Sequence, residues 1–181
     1  SKFVLQNLED FDYKTSIADL EFKLEDRWIL SKLQNAAKGV NKALDGYELD
    51  MAAKTAYEFF RGEFCDWYVE AAKTRVYGGD EQDKKTAQWV LRHILDNGLK
   101  LLHPFMPFIT EELWQKVKLD GETIMLSDFP AYDEALLDKD AEEEFDYLKE
   151  VITAIRNIRG EVNVPPSKKI EVIFKTNNES E

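Results

Sequence analysis

The sequence predicts an all-α protein, an antiparallel helical bundle of about five helices with one short C-terminal strand segment. Apolar residues recur at intervals of three and four along most of the 181 residues. Eight glycines and five prolines are too few for the frequent tight turns of a β-sandwich or barrel. Several of them stand between the periodic segments, where they end helices.

Each of the first two helices is predicted from one apolar stripe. The first runs from Leu24 to Leu44 and ends at Asp45-Gly46. The second runs from Leu49 to about Val76 and stops at Tyr77-Gly78-Gly79. Its predicted core stripe consists of Ala52, Ala56, Phe60, Phe64, Trp67 and Ala71. Two antiparallel helices joined by a short turn are the simplest arrangement.

The third and fourth helices are separated by His103-Pro104, where proline disfavours a helix. The third begins in the acidic stretch 80–83, whose charges suit a helix N-terminus, and extends to Leu102. Gly98 lies on its apolar face, where the missing side chain would let another helix approach closely. The fourth begins near Pro107 and continues through Val117.

The last helix is predicted from about Asp138 to Arg159, with Phe145, Leu148, Ile152 and Ile155 buried. Alternation at Ile170–Phe174 then indicates a strand. Because one strand needs partners, we expect a piece of a longer protein. The predicted domains are a helical domain at 1–164 and, at 165–181, the truncated start of a following module.

Composition excludes several classes of site. One cysteine, Cys65, forms no internal disulfide, and with only His93 and His103 we expect no metal site. Neither histidine is fixed near Cys65, and no phosphate-binding glycine motif is present, so we expect no catalytic residue. No apolar run approaches a membrane span. We therefore expect a soluble, cytoplasmic chain.

The charge pattern leaves nucleic-acid binding open. The net charge of −12 repels polyanions at long range. Tyr68 lies off the predicted core stripe and could stack on a base, and Lys73 and Arg75 follow it in positions to meet phosphates. The alternative is a solvated basic end that stabilises the helix C-terminus.

Four blocks of sequence resemble the anticodon-binding domain of valyl-tRNA synthetase, a class I aminoacyl-tRNA synthetase. They are LEDRWILSKL at 24–33, YEFFRGEFCDWYVEAAKTRVYGG at 57–79, LLHPFMPFITEELWQ at 101–115 and AIRNIRGEVNVPPSKK at 154–169. The resemblance implies a helical bundle that reads the anticodon arm of tRNA(Val). The partners it implies are that arm and, in the full-length chain, the catalytic domain and C-terminal arm.

The HIGH and KMSKS motifs of the catalytic domain are absent from this chain. The resemblance therefore implies no cofactor in this fragment and ATP with Mg in the parent enzyme, so the fragment alone should be inactive. The tRNA-binding residues that it adds to Tyr68, Lys73 and Arg75 are Lys2, Phe3, Val69, Arg156 and Arg159. Among these, Phe3 takes the place of an aromatic residue beside the anticodon bases, and Val69 is an apolar neighbour in the same pocket.

Two alternatives stay open from the sequence. One is a helical protein-interaction or structural module, in which the family-like sequence blocks serve only the packing of the helices. The other is the equivalent domain of an isoleucyl- or leucyl-tRNA synthetase, which would read another anticodon. Which bases are contacted, and whether the fragment binds tRNA alone, are not fixed by the sequence.

Overall fold

The computed structural model describes residues 2–8, 11, 17, 20–117, 121–165 and 167–173. The chain divides into two compact units, Ser1–Phe145 and Asp146–Glu181. The helices are α1 (Lys2–Asn7), α2 (Leu24–Asp45), α3 (Leu49–Glu58), a π-helical segment (Phe59–Tyr68), α4 (Val69–Gly78), α5 (Glu81–Leu102), α6 (Pro107–Lys116) and α7 (Lys139–Glu161). Two 3₁₀ turns, Ile124–Leu126 and Glu134–Leu136, precede α7, which continues into the second unit. The all-α class is confirmed.

The predicted helix ends are confirmed to within a few residues, and local chemistry explains them. Asp80 caps α5, because its side chain accepts a hydrogen bond from the backbone N–H of Asp83 at 2.8 Å. Pro107 opens α6 at a position where no backbone donor is needed. Gly46 ends α2, and its N–H donates to the carbonyl of Lys42 at 3.1 Å.

The core of the first unit lies where α2 packs on α3 and α5, and where α4 packs on α5. Its largest fully buried side chains include Trp28, Trp114, Tyr68 and Phe64. Gly98 on α5 is buried, and a Cβ atom there would lie 2.6 Å from the Phe60 ring. The predicted close approach at Gly98 is therefore confirmed.

The second predicted helix is interrupted by the π-helical segment, and the predicted core stripe is therefore wrong in part. The buried apolar positions are Ala52, Ala56, Phe59, Phe64, Tyr68, Ala72 and Val76, whereas Ala71, predicted for the stripe, is only partly buried. Phe60 and Trp67, predicted for the core, are only partly buried against it. The interval of five between Phe59 and Phe64 matches the i→i+5 bonding of the π-helical segment, whereas the prediction assumed an unbroken α-helix.

The first two turns of α7 are fixed within the first unit. Ser31 Oγ donates to Glu142 Oε1 at 2.5 Å, and Asn35 Nδ2 donates to the same oxygen at 2.7 Å. Trp28 and Phe145 stack with ring centroids 4.1 Å apart. These contacts place Phe145 in the core, as predicted.

The second unit contains the rest of α7 and the segment after it. Leu148 is 43% exposed, so its predicted burial is wrong, and Ile152 and Ile155 are only partly buried. The predicted strand is not formed at residues 170–173, where the described backbone has no paired neighbour to complete a ladder; Phe174 lies outside the described residues. The predicted domain boundary at 164/165 stays a prediction.

Across the described helices, none is long and apolar enough to cross a membrane.

Candidate nucleic-acid interface

A network of buried charges joins three helices where α4 ends. Arg75 on α4 donates from Nη1 to both carboxylate oxygens of Asp26 on α2, at 2.7 and 2.8 Å. Its Nε donates to Asp83 Oδ1 on α5 at 2.6 Å, and Tyr68 Oη donates to Asp26 Oδ1 at 2.6 Å. Asp26 is fully buried. Because an unpaired charge is costly in a protein interior, this buried network holds α2, α4 and α5 in one arrangement.

The buried network shifts the pKa values of three of its members, Tyr68, Arg75 and Asp83. Burial raises the pKa of Tyr68 well above its ordinary value of 10.0, and the charge of Asp26 raises it further. Burial lowers the pKa of Arg75, but hydrogen bonding and charge from Asp26 outweigh it and raise that pKa. Burial raises the pKa of Asp83, while hydrogen bonds from Lys23 and Arg75 bring it below 3.8. At neutral pH, Tyr68 is therefore a neutral donor between charged neighbours.

Two of the residues predicted to bind tRNA belong to this network. Tyr68 is fully buried, so the expectation that its ring could face a base is wrong. Arg75 is 5% exposed and its guanidinium faces carboxylates, so its position does not support contact with a phosphate. The cause is the same for both, since Tyr68 Oη and Arg75 Nε and Nη1 bond carboxylates of neighbouring helices, while Arg75 Nη2 is buried without a partner among the described residues.

Phe3 on α1 and Lys73 and Tyr77 near the end of α4 form an accessible group, named here the aromatic platform. The rings of Phe3 and Tyr77 meet edge to face, with centroids 6.0 Å apart and planes at 70°. Lys73 Nζ lies 5.6 Å from the centroid of the Phe3 ring. Tyr77 is 72% exposed, and Lys73 also forms an exposed ion pair with Glu70. The structure thus brings two predicted site residues, Phe3 and Lys73, together.

The aromatic platform has the chemistry of a single-stranded nucleic-acid contact. An exposed ring can stack on any base, and a neighbouring ammonium group can meet a phosphate. Tyr77 was missed by sequence reasoning, which treated it only as part of the helix stop. Its spacing of four from Lys73 was the available signal, because residues i and i+4 share one face of an α-helix.

The remaining predicted site residues lie elsewhere or contribute differently. Val69 is partly buried and packs against the core of the first unit. The side chain of Lys2 lies outside the described residues. In the second unit, Arg156 and Arg159 line an open groove of about 860 Å³ at the end of α7. Arg159 Nη2 donates to the backbone carbonyls of Pro165 and Lys168, at 2.5 and 2.9 Å, so it also holds the segment after the helix.

The structure offers no fit for a metal cofactor in the part of the chain that it describes. Those residues contain no group of three or more His, Cys, Asp or Glu side chains that could hold a metal ion. His103 instead makes a local contact, with Nδ1 2.7 Å from Thr110 Oγ1 across the turn between α5 and α6. We assign no step of chemistry to a metal in this chain.

Comparison with known proteins identifies the family. The family described as the anticodon-binding domain of tRNA ligase matches residues 26–174. Among curated relatives, the valine–tRNA ligase of Fusobacterium nucleatum is 52% identical over 100% of this chain and 21% of its own length. Those of Fervidobacterium nodosum and Bacillus cereus are 46% and 41% identical over 97% and 99% of this chain, each across 20% of its own length.

The chain therefore spans about a fifth of the length of the relatives it matches. The match extends over both units, and the predicted resemblance to the valine enzyme is confirmed. The chain belongs to the anticodon-binding domain family of tRNA ligases, and within that family it is similar to the valine–tRNA ligases.

Proposed function

We propose that this chain recognises the anticodon arm of tRNA(Val) as a domain of a valine–tRNA ligase, and that the aromatic platform contacts its unpaired bases. The observation that carries the proposal is the contact of Phe3 with exposed Tyr77 and with Lys73, in a chain that belongs to an anticodon-binding family. Base stacking on an aromatic side chain contributes about 1–3 kcal/mol per base.

The charge of the chain predicts how this recognition works. Phosphate contacts supply much of nucleic-acid affinity through counterion release, and a chain with a net charge of −12 can make few of them. Unpaired bases can still be distinguished by stacking and by hydrogen bonds to their edges. We therefore expect weak affinity for the isolated chain, strong salt dependence and a preference that depends on the anticodon.

The other predicted contacts remain part of the proposal. Val69 stands one helical turn before Lys73 and supplies an apolar neighbour to the aromatic platform. Lys2, Arg156 and Arg159 are proposed to meet phosphates. Arg156 and Arg159 belong to the second unit, so variants of these two residues test a contact separate from the platform.

The activity of a complete ligase is a proposal for the protein to which this chain belongs. That activity is the ATP-dependent attachment of valine to tRNA(Val) in the cytoplasm, with Mg accompanying ATP. The chain lacks the HIGH and KMSKS motifs of the catalytic domain, so these groups are assigned to the rest of such an enzyme. For the isolated chain we propose a monomer.

Fluorescence anisotropy tests the proposal. The chain is titrated at low salt against labelled tRNA(Val) and against the same tRNA with two anticodon bases replaced. We expect replacement to weaken binding at least fivefold. Tyr77→Ala is expected to weaken binding to tRNA(Val) and to reduce that preference, whereas the exposed Tyr147→Ala on α7 serves as the matched control.

A protein-interaction or structural module, the competing function, predicts equal binding to both tRNAs. Equal affinities, with Tyr77→Ala indistinguishable from Tyr147→Ala, would contradict the proposed function. The isoleucine and leucine tRNAs are titrated under the same conditions, and a preference for either would instead contradict the choice of tRNA(Val).

A further inference from the structure

An open groove lies between the π-helical segment, the end of α5 and α6, away from the aromatic platform residues. Its volume is about 500 Å³, a size typical of sites that receive one large side chain or a small ligand. Its walls are mostly apolar and include Phe60, Cys65, Leu99, Leu102, Ile109 and Leu113. We refer to it as the α6 groove.

The winding of the π-helical segment forms one wall of the α6 groove. Residues five apart point in similar directions in a π-helix, whereas in an α-helix they diverge. The segment therefore brings Phe60 beside Cys65, and Arg61 beside Asp66, on the face that lines the groove. Gly98 on α5 lets the Phe60 ring lie against the neighbouring helix, since a Cβ atom would lie 2.6 Å from it.

The rim of the groove is more apolar than an ordinary protein surface. Tyr57, Met106 and Ile109 line the groove and are exposed, with Ile109 at 52%. Phe108, the neighbour of Ile109 at the start of α6, is 90% exposed. Aromatic and methionine side chains are enriched where proteins meet, and contiguous apolar surface usually marks an interaction site.

The charges around the groove favour a protein occupant over RNA. Among the lining residues, all of which the structure describes, the charged ones are Arg61 and Asp66, so the lining has no net charge to attract phosphates. A second copy of this chain is disfavoured, because two chains of net charge −12 repel each other. The relatives, by contrast, contain about four-fifths of their length beyond the matched segment.

We propose that the α6 groove is the docking site for an apolar surface of the larger ligase body, meaning the part of a valine–tRNA ligase that lies outside the segment matched by this chain. An apolar side chain of that body enters between Phe60 and Ile109 and covers Cys65. The inference rests on the family and on the groove, and it is independent of which bases the aromatic platform contacts.

Cys65 makes the docking measurable, because it lines the groove and is the chain's single cysteine. The experiment compares the isolated chain with a chimera in which this chain replaces the matched segment of the Fusobacterium nucleatum enzyme. Alkylation of Cys65 by iodoacetamide is followed by mass spectrometry of its peptide. Burial raises the pKa of the Cys65 thiol, so both proteins are assayed at the same mildly alkaline pH. Valine-dependent ATP–pyrophosphate exchange checks that the ligase body is folded.

We expect Cys65 in the chimera to react at least tenfold more slowly than in the isolated chain, without tRNA present. Ile109→Lys, which places a charge in the groove, is expected to restore fast alkylation in the chimera. The matched control is Met125→Lys, which changes an apolar residue that is 74% exposed outside the groove and should leave Cys65 protected. As both sites are exposed, both variants should retain the fold of the isolated chain.

Three results would overturn the proposal. Equal alkylation rates in the chain and the chimera would show that nothing covers the groove. Protection that arises only when tRNA is added would assign the groove to RNA. Slow alkylation already present in the isolated chain would show that the groove is not open. None of these readouts depends on anticodon preference, so failure here is distinguishable from failure of the proposed function.

Discussion

The buried network and the aromatic platform both use an aromatic residue and a cation from the π-helical segment and α4, but the network joins helices and the platform is accessible. Each combines aromatic rings with a cation from α4, Arg75 in the network and Lys73 in the platform. Arg75 meets Asp26 and Asp83 in the interior, whereas Lys73 meets a half-buried ring and an exposed carboxylate. Residue type alone therefore does not distinguish a cation that stabilises the fold from one that could bind a ligand. The number and burial of the carboxylates around the cation make that distinction.

Removing the central carboxylate should break the buried network most severely. Asp26→Ala leaves Arg75 buried without its main partner and Tyr68 without its acceptor. Breaking a buried ion pair by removing one partner typically costs about 3–5 kcal/mol of unfolding free energy. Urea denaturation followed by tryptophan fluorescence measures the loss.

The matched control for that prediction is Glu70→Ala, which removes the exposed carboxylate that pairs with Lys73. Exposed pairs of this kind contribute about 0–1 kcal/mol. If Asp26→Ala and Glu70→Ala lowered the unfolding free energy by similar amounts, the contrast between buried and exposed charge would be refuted.

The next largest effect is expected at His93, whose imidazole is partly buried. It stacks on Trp89 with ring centroids 4.9 Å apart. Burial lowers its pKa from 6.5 to about 4, and nearby Lys100 and Arg92 lower it too, against an opposing effect of Asp96. The folded state thus favours neutral His93, so its stabilising effect is full above pH 6.5 and is lost as the pH falls toward 4. The loss is at most about 3 kcal/mol.

The test compares urea denaturation of the wild-type chain and His93→Phe at pH 7.5 and pH 5. Phenylalanine preserves the ring against Trp89 and cannot be protonated. We expect the wild type to lose more stability than the variant between these pH values. An equal loss in both proteins would show that other groups cause the pH dependence.

The smallest effect on stability is expected at the aromatic platform. Lys73→Met removes the ammonium beside Phe3 and preserves most of the side chain's length. We expect the unfolding free energy to change by less than about 0.5 kcal/mol, because the site is exposed. Affinity for tRNA(Val) should fall about three- to tenfold, with a shallower salt dependence, as measured by anisotropy at several salt concentrations.

A large drop in stability for Lys73→Met would place this residue with the buried network instead. Unchanged affinity, with unchanged salt dependence, would remove Lys73 from the proposed tRNA contact.

Most of the fold was predictable because the helix-ending and helix-starting residues stand where the apolar periodicity begins and ends. The boundaries near Gly46, Asp80 and Pro107 follow from single residues with one dominant conformational effect. The strand predicted at Ile170–Phe174 is not formed at residues 170–173, because a strand depends on partners that local alternation does not specify.

The candidate site was predictable only in part, and the π-helical segment explains why. Phe3 and Lys73 were identified, but the contacts of Phe3 with Lys73 and Tyr77 are tertiary. An unbroken α-helical period placed Phe60 and Trp67 in the core and Tyr68 outside it. The single interval of five, from Phe59 to Phe64, instead buries Tyr68 and leaves Phe60 and Trp67 only partly buried. FFRGEFCDWY contains Gly62 and several aromatic residues of low helix propensity, but none of these signals specifies π-helical winding, so the change of period was not visible before the tertiary contacts were known.

The π-helical segment also determines which way the end of the helix faces. Tyr68 and Ala72 take the core positions that an unbroken α-helix would give to Trp67 and Ala71. Downstream residues are therefore displaced by one position, about 100° around the helix axis, relative to a continuous α-helix. The direction in which Lys73 and Tyr77 project from the helix axis therefore depends on the winding of Phe59–Tyr68. A sequence change that restored α-helical pitch there would turn both side chains away from Phe3 without altering the sequence of the aromatic platform itself.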